Sequence, residues 1–406
     1  MTTTRNDEAL RELARQYAEI AALPRQQETI NGWRRLNGLR ETRPMVRIAQ
    51  LPWHELDWGE EDMVNQGGDR ARIERHLRKT LYAWRNFKAD MVVPPYIGIK
   101  KTVRHAEIGP AGKVEREGLS QHYEEQLATI QEVRALETPV IETDPELDAR
   151  RWESLSELFD GILPVRLTGH IRHSGLWDRI TMVVSPERVL YDLVDRPEYV
   201  AELIRTYVAM ESGVLDQFEQ HGLLEAAPPE IHCTGAFCDD LPSEHYDGET
   251  TAALDTWTFS MAQIFSEVSP AMQDEFDITP LKPLLDRYGL VYYGCCEPLH
   301  HKIDSVRKLD TVRKISVSPW ANKEMAAESI HGDYVFSAKP NPAHLAMGAF
   351  HADLVRRDLQ ETVDICRRHN TPCELILKDV STACGDPSRL TKWEQIAMEV
   401  AGAGDL

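Results

Sequence analysis

Apolar residues along the first ninety positions recur at helical spacing. Leu10, Leu13, Tyr17 and Ile20 follow one another at steps of three and four, which predicts a helix with one buried face. A second helix carries Ile30, Trp33 and Leu36 ahead of Gly38. A third, from about residue 69 to 87, sets Ile73, Leu77, Leu81, Trp84 and Phe87 on one side. Met45-Val46-Arg47-Ile48 reads as a short strand ended by Pro52, and Met91-Val92-Val93, closed by Pro94-Pro95, as a buried one. Residues 105–145 are polar and Glu-rich, an excursion from the core with a helix near 119–136. Pro164-Val165-Arg166-Leu167 and Thr181-Met182-Val183-Val184 are candidate strands. Asp195-Arg196-Pro197 opens a long helix, its proline placed where a missing N–H costs nothing.

Beyond residue 230 the pattern alternates. Strand-like runs occur at Glu230-Ile231-His232-Cys233, Leu290-Val291-Tyr292-Tyr293, Lys314 to Ser318, Tyr334 to Ser337 and Leu375-Ile376-Leu377. Helical patterns separate them, among them Leu281 to Tyr288, Asn322 to Ile330 and Ala352 to Arg368. Such alternation implies parallel strands joined by right-handed crossovers. No G-x-G-x-x-G turn follows any strand, which disfavours a dinucleotide-binding open sheet. The expected fold is therefore α/β, a (β/α)8 TIM-type barrel with additional N-terminal helices. Residues 1–90 form a helical segment packed on it, and residues 91–406 form the barrel with its excursion near 105–145.

Composition narrows the function classes. The 406 residues hold 46 Lys+Arg against 66 Asp+Glu, a formal net charge of 46 − 66 = −20, without a Lys/Arg cluster suited to phosphate backbones. Nucleic acid is not an expected partner. Neither is a membrane, since no apolar run approaches the length of a span. Met1 to Asp7 is polar and gives no sign of a signal peptide, and the seven cysteines are an odd, sparse set. Both point to the cytoplasm. An acidic barrel with a helical arm also suits a homodimer.

In a barrel, chemistry sits where strands end. After Tyr293 comes Gly294-Cys295-Cys296-Glu297-Pro298-Leu299-His300-His301, two thiols, a carboxylate and two imidazoles on one rim, the ligand types that bind zinc. Strand alternation would send Cys295 and Cys296 to opposite faces, leaving one of them in the site. After Leu377, Lys378 can neutralise an anion and Asp379 can accept a proton or orient a donor, unless the two form a structural ion pair. Cys384 follows in a Gly-Asp-Pro turn. In Ser337-Ala338-Lys339-Pro340-Asn341-Pro342, two prolines hold Lys339 and Asn341 in place, Lys339 as an anion clamp. Trp320 is a candidate cofactor wall, and Asp239 with Asp240 are candidate substrate contacts. His232-Cys233 lacks the spacer of a His-x-Cys metal pair.

These residues suggest a family. The segments Tyr191 to Pro197, Asp239-Asp240, Val268 to Met272, Gly294 to His300, Lys339 to Pro342 and Lys378 to Leu390, in that order, resemble the uroporphyrinogen decarboxylase superfamily over roughly residues 150–400. That family consists of (β/α)8 barrels. The Phe-Pro-x-Trp-x-Met-Arg-Gln-Ala-Gly-Arg type motif of true uroporphyrinogen decarboxylases is absent, so the chain looks closer to the corrinoid- and zinc-linked methyltransferases. The resemblance implies methyl transfer between a small methylated substrate, such as a methoxylated compound, and a corrinoid carried on a partner protein. The chain has no Asp-x-His-x-x-Gly motif of its own for a corrinoid. It also implies zinc, with Cys296 and Cys384 as thiolate ligands and His300 or Glu297 supplying the missing ligand, Gly294 standing where a histidine is expected. Without zinc, Glu297 or His300 would protonate the ether oxygen. Two alternatives stand beside it. One is a cofactor-independent decarboxylase or lyase of a small carboxylic acid, built on Lys339, Lys378 and Asp379. The other is a non-enzymatic binding barrel using the same rim.

Overall fold

Eight parallel strands organise the molecule, which a computed structural model describes for residues 2–117 and 120–402. They are β1 (Met45–Ile48), β2 (Ile97–Lys100), β3 (Val165–Thr168), β4 (Trp257–Ser260), β5 (Leu290–Tyr293), β6 (Val312–Val317), β7 (Val335–Ala338) and β8 (Cys373–Leu377). Six form one sheet in the order β1-β8-β7-β6-β5-β4, and β2 pairs with β3. A single parallel bridge, His173 to Phe259, ties the chain beyond β3 to β4. Among the described residues no ladder joins β1 to β2, so the structure is an α/β fold without a continuous hydrogen-bonded ring. None of the described helices is long and apolar enough to cross a membrane.

Period-two alternation sorts the strand residues onto two faces. Val291, Tyr293, Phe336, Ala338, Leu375 and Leu377 pack outward in one core, beside helices such as Pro197–Gln220 and Ala352–Arg368. Trp257, Phe259, Leu290, Tyr292, Val335 and Ile376 pack inward with Trp33. Glu374 and Lys378 share the inward face with Ile376, two residues to either side. Trp33 belongs to α2 (Pro24–Asn37), which follows α1 (Thr2–Ala21). Its indole donates to the Asp90 carbonyl at 3.0 Å, and its ring lies so close to Gly235 that a Cβ there would sit 2.4 Å away. The third predicted helix is α3 (Gly68–Phe87).

Several expected elements differ. Met91-Val92-Val93 is not a strand. The prolines at 94 and 95 cannot donate to a ladder, and β2 begins beyond them. Thr181 to Val184 is a turn, its amides bonded back to the helix Leu176–Ile180, for example Val184 to Ile180 at 2.8 Å. Glu230–Ile231 pairs antiparallel with Thr234–Gly235 in a small hairpin, not with the main sheet. The excursion holds the hairpin Val114–Glu117 with Ser120–Tyr123 and a short helix Ile130–Arg134, where one helix near 119–136 was expected, its first residue lying outside the described ones. The strand expected at Met45–Ile48 forms as β1 and pairs with β8, so the main sheet takes a strand from within the first ninety residues.

Candidate functional site

Gly294 follows β5 at φ +93°, a left-handed conformation that glycine adopts freely, and a Cβ there would lie 2.4 Å from Leu299 Cδ1. This turn breaks the strand's alternation. The thiols of Cys295 and Cys296, expected on opposite faces, finish with their Sγ atoms 3.6 Å apart. Glu297 is buried and anchors the turn: Oε1 accepts the Ala262 N–H at 3.1 Å and Oε2 the Cys295 N–H at 2.9 Å. Ser316 Oγ donates to the Cys295 carbonyl at 2.7 Å. Glu297 thus holds the loop in position instead of presenting a free acid.

Lys378 reaches the same spot from the inward face of β8. Its Nζ lies 3.0 Å from Cys295 Sγ, 3.6 Å from Cys296 Sγ and 2.8 Å from Asp379 Oδ2. Asp379 Oδ2 also sits 3.7 Å from Cys296 Sγ. Behind Cys295, at 3.8 Å, is Nε2 of His232, whose ring stacks on Phe259 at 3.9 Å. The hydrogen bond from Cys295, opposed by burial and aided by the Lys378 charge, lowers the Cys296 thiol to about 7. The same hydrogen bond, with burial, pushes the Cys295 thiol up, so Cys295 keeps its proton. Burial opposes the Lys378 charge, but the thiols and Asp379 outweigh it and hold the ammonium.

One layer deeper lies a second ionic group. Lys314 Nζ contacts Glu374 Oε2 at 2.7 Å with both side chains fully buried, and Thr234 Oγ1 donates to the same oxygen at 2.7 Å. Ser337 donates to the other Glu374 oxygen and accepts from Lys339 Nζ. Lys339 is therefore an internal member of this network, not the rim clamp expected of it, and burial lowers its pKa.

A cavity of about 930 Å³ opens beside His232, in the gap between β1 and β2. Arg72, Arg75, His76 and Lys79 of α3, spaced as one helix face, line it with Arg47 and Lys100. Five lysines and arginines thus face it, against the two carboxylates Glu225 and Glu230. Glu230 is paired with Arg47, and Lys79 Nζ lies 4.7 Å from the rings of both Trp53 and Trp58. Tyr17, Trp33, Tyr96 and Phe237 add aromatic walls. His173, whose pKa burial lowers to about 4, is a neutral imidazole on the same surface. The cavity can bind a small anionic molecule with an apolar or aromatic body. These α3 residues escape a sequence reading because cations opposite an apolar stripe look like a solvated helix face.

Of the sequence candidates, Cys296, Lys378 and Asp379 come together and the others do not. Asp239 pairs with Arg40 and Arg34, and Asp240 with Arg313 at 2.7 Å, so neither faces the cavity. Trp320 is 71% exposed and forms no wall. Asn341 Oδ1 accepts the Ala343 N–H at 3.0 Å, tying its own loop. His300 packs against His301 with ring centres 4.1 Å apart, and burial lowers its pKa. Cys384 is exposed and donates to the Ala346 carbonyl at 3.2 Å. Among the described residues no three His, Cys, Asp or Glu side chains converge to hold a metal ion, so Cys296, His300 and Cys384 do not form the implied zinc set. The position between the two thiols is taken by the Lys378 ammonium. The donor set does not fit zinc.

No protein-family model matches this chain, and no curated protein matches it.

Proposed function

We propose that this chain is a cytoplasmic methyltransferase that moves a methyl group from a small methylated anion in the cavity to a corrinoid carried by a partner protein. The eight parallel strands read as a TIM-type barrel whose β1–β2 seam is opened by that cavity. The observation that carries the reading is Lys378 Nζ set 3.0 and 3.6 Å from a pair of thiols, one of them lowered to about 7. A thiol of that pKa gives and takes protons at neutral pH. As the methyl leaves, negative charge grows on the substrate heteroatom. Cys296 Sγ delivers its proton there, and Lys378 stabilises the charge beside it. The corrinoid, when delivered by its partner, supplies the methyl acceptor. The cations of α3 hold the substrate's anionic end, and His232, which lines the cavity, lies 3.8 Å from Cys295 Sγ. A lyase is less well supported, because it needs Lys339 as a clamp and that amine is tied to Ser337.

The test is methyl transfer from methoxylated carboxylates to cob(I)alamin, read by the absorbance change at cobalt. Wild type should methylate cobalt, and Cys296→Ser should lose about 10²–10⁴-fold in rate, the span of general acid catalysis. Failure of every O-, S- and N-methyl donor overturns the proposal.

A further inference from the structure

We propose that Cys295 and Cys296 form a reversible dithiol site that small disulfides, such as oxidised glutathione, close into a vicinal disulfide, with Cys296 attacking and Cys295 resolving. The geometry carries it. The Sγ atoms stand 3.6 Å apart where the chain has left β5 and bends over residues 295–297. Cys296 is partly open to solvent whereas Cys295 is buried behind it. An incoming disulfide therefore meets Cys296 first. The flanking Lys378 ammonium favours a thiolate, and the lowered Cys296 thiol supplies one at neutral pH.

The chemistry balances without a metal. Cys296 thiolate attacks one sulfur of oxidised glutathione, forming a mixed disulfide and releasing one glutathione thiolate. Cys295 sulfur then attacks the Cys296 sulfur of that mixed disulfide, expelling the second glutathione, which takes the Cys295 proton. Two protein thiols are oxidised and one glutathione disulfide is reduced to two thiols. Adjacent Cα atoms lie about 3.8 Å apart across a trans peptide, less than the usual separation of about 4.4–6.8 Å in disulfides, so the ring is strained and easily reduced. Closing it removes the Cys296 proton. The consequence, that ring closure stops methyl transfer, rests on the methyl-transfer reading, but ring formation does not.

The experiment treats the full chain with oxidised glutathione and follows intact mass and peptide maps. Wild type should lose two hydrogens, localised to Cys295–Cys296, and regain them with dithiothreitol. Cys295→Ser should stop at one glutathione adduct on Cys296, and Cys296→Ser should react at least tenfold more slowly. Phenylarsine oxide is a second probe: one arsenic should bridge the pair in wild type and be lost in either variant, with near-ultraviolet circular dichroism verifying the fold. A mixed disulfide that persists on Cys296 in wild type, or equal oxidation in Cys296→Ser, overturns the proposal. If the ring forms but methyl transfer persists, the dithiol site stands and the role given to Cys296 in catalysis falls.

Discussion

Two lysine-centred groups sit one layer apart on the same inward faces, and they differ in almost everything but residue type. Lys314 is enclosed with Glu374, Thr234 and Ser337, at 0% exposure for both ions, and each charged atom has hard oxygen partners. Lys378, on the same strand face as Glu374, meets two sulfurs and a half-exposed carboxylate. A buried pair whose partners are all satisfied has nothing left to offer a substrate and contributes a fixed interior. An ammonium facing thiols, which accept weakly, is held less tightly by its partners than one facing a buried carboxylate. The nature of the partners distinguishes the two groups: buried oxygens surround Lys314, whereas Lys378 meets two thiols and a half-exposed carboxylate. A charged side chain at a strand end does not by itself mark a site, as Lys339 demonstrates.

Equivalent substitutions should separate them. Lys378→Met should cost the largest effect, about 10²–10⁴-fold in methyl transfer, with urea unfolding nearly unchanged. Lys314→Met leaves Glu374 buried and unpaired, and should cost about 3–5 kcal/mol in the same urea experiment. Loss of stability in both variants alike would erase the contrast. Lys314→Met combined with Glu374→Leu removes both charges, and should recover most of that stability. The smallest effect concerns pH. Alkylation of Cys296 by iodoacetamide requires the thiolate, so its rate should rise through about pH 7 in wild type. In Lys378→Met the nearby positive charge is gone, the thiol pKa rises, and the midpoint should move to higher pH. A midpoint that stays put would show that Lys378 does not act on the thiol.

Short strands with mainly apolar runs are legible in the sequence. Met45–Ile48 and Leu290–Tyr293 match their predicted bounds, and the helix Ala352–Arg368 does as well. Trp257–Ser260 escaped notice because its buried hydroxyls break the apolar run, and only tertiary partners, such as Arg172 O for Thr258 Oγ1 at 2.8 Å, satisfy them. The hairpin at 230–235 reads locally as a strand, but His232 at φ +53° turns it back. At the site, Cys296, Lys378 and Asp379 were found because each directly follows a strand. Alternation leaves only one of Cys295 and Cys296 in the site and the family resemblance selects Cys296, but alternation holds only while the strand continues, and β5 ends at Tyr293. His232 and the α3 cations come from distant segments, and no local pattern reveals which of their faces meets a cavity.

The α3 cations have a kinetic consequence in a chain of net charge −20. At low ionic strength the whole molecule repels an approaching anion long before the helix face can be felt. Salt at about 0.1 M shortens the range of that repulsion to roughly 10 Å, while attraction at contact distance survives better. Capture of an anionic ligand should therefore be fastest at intermediate salt, rising before it falls. A molecule built this way admits its ligand through a short-range gate in a repulsive field, and its on-rate becomes a gauge of the surrounding ionic medium.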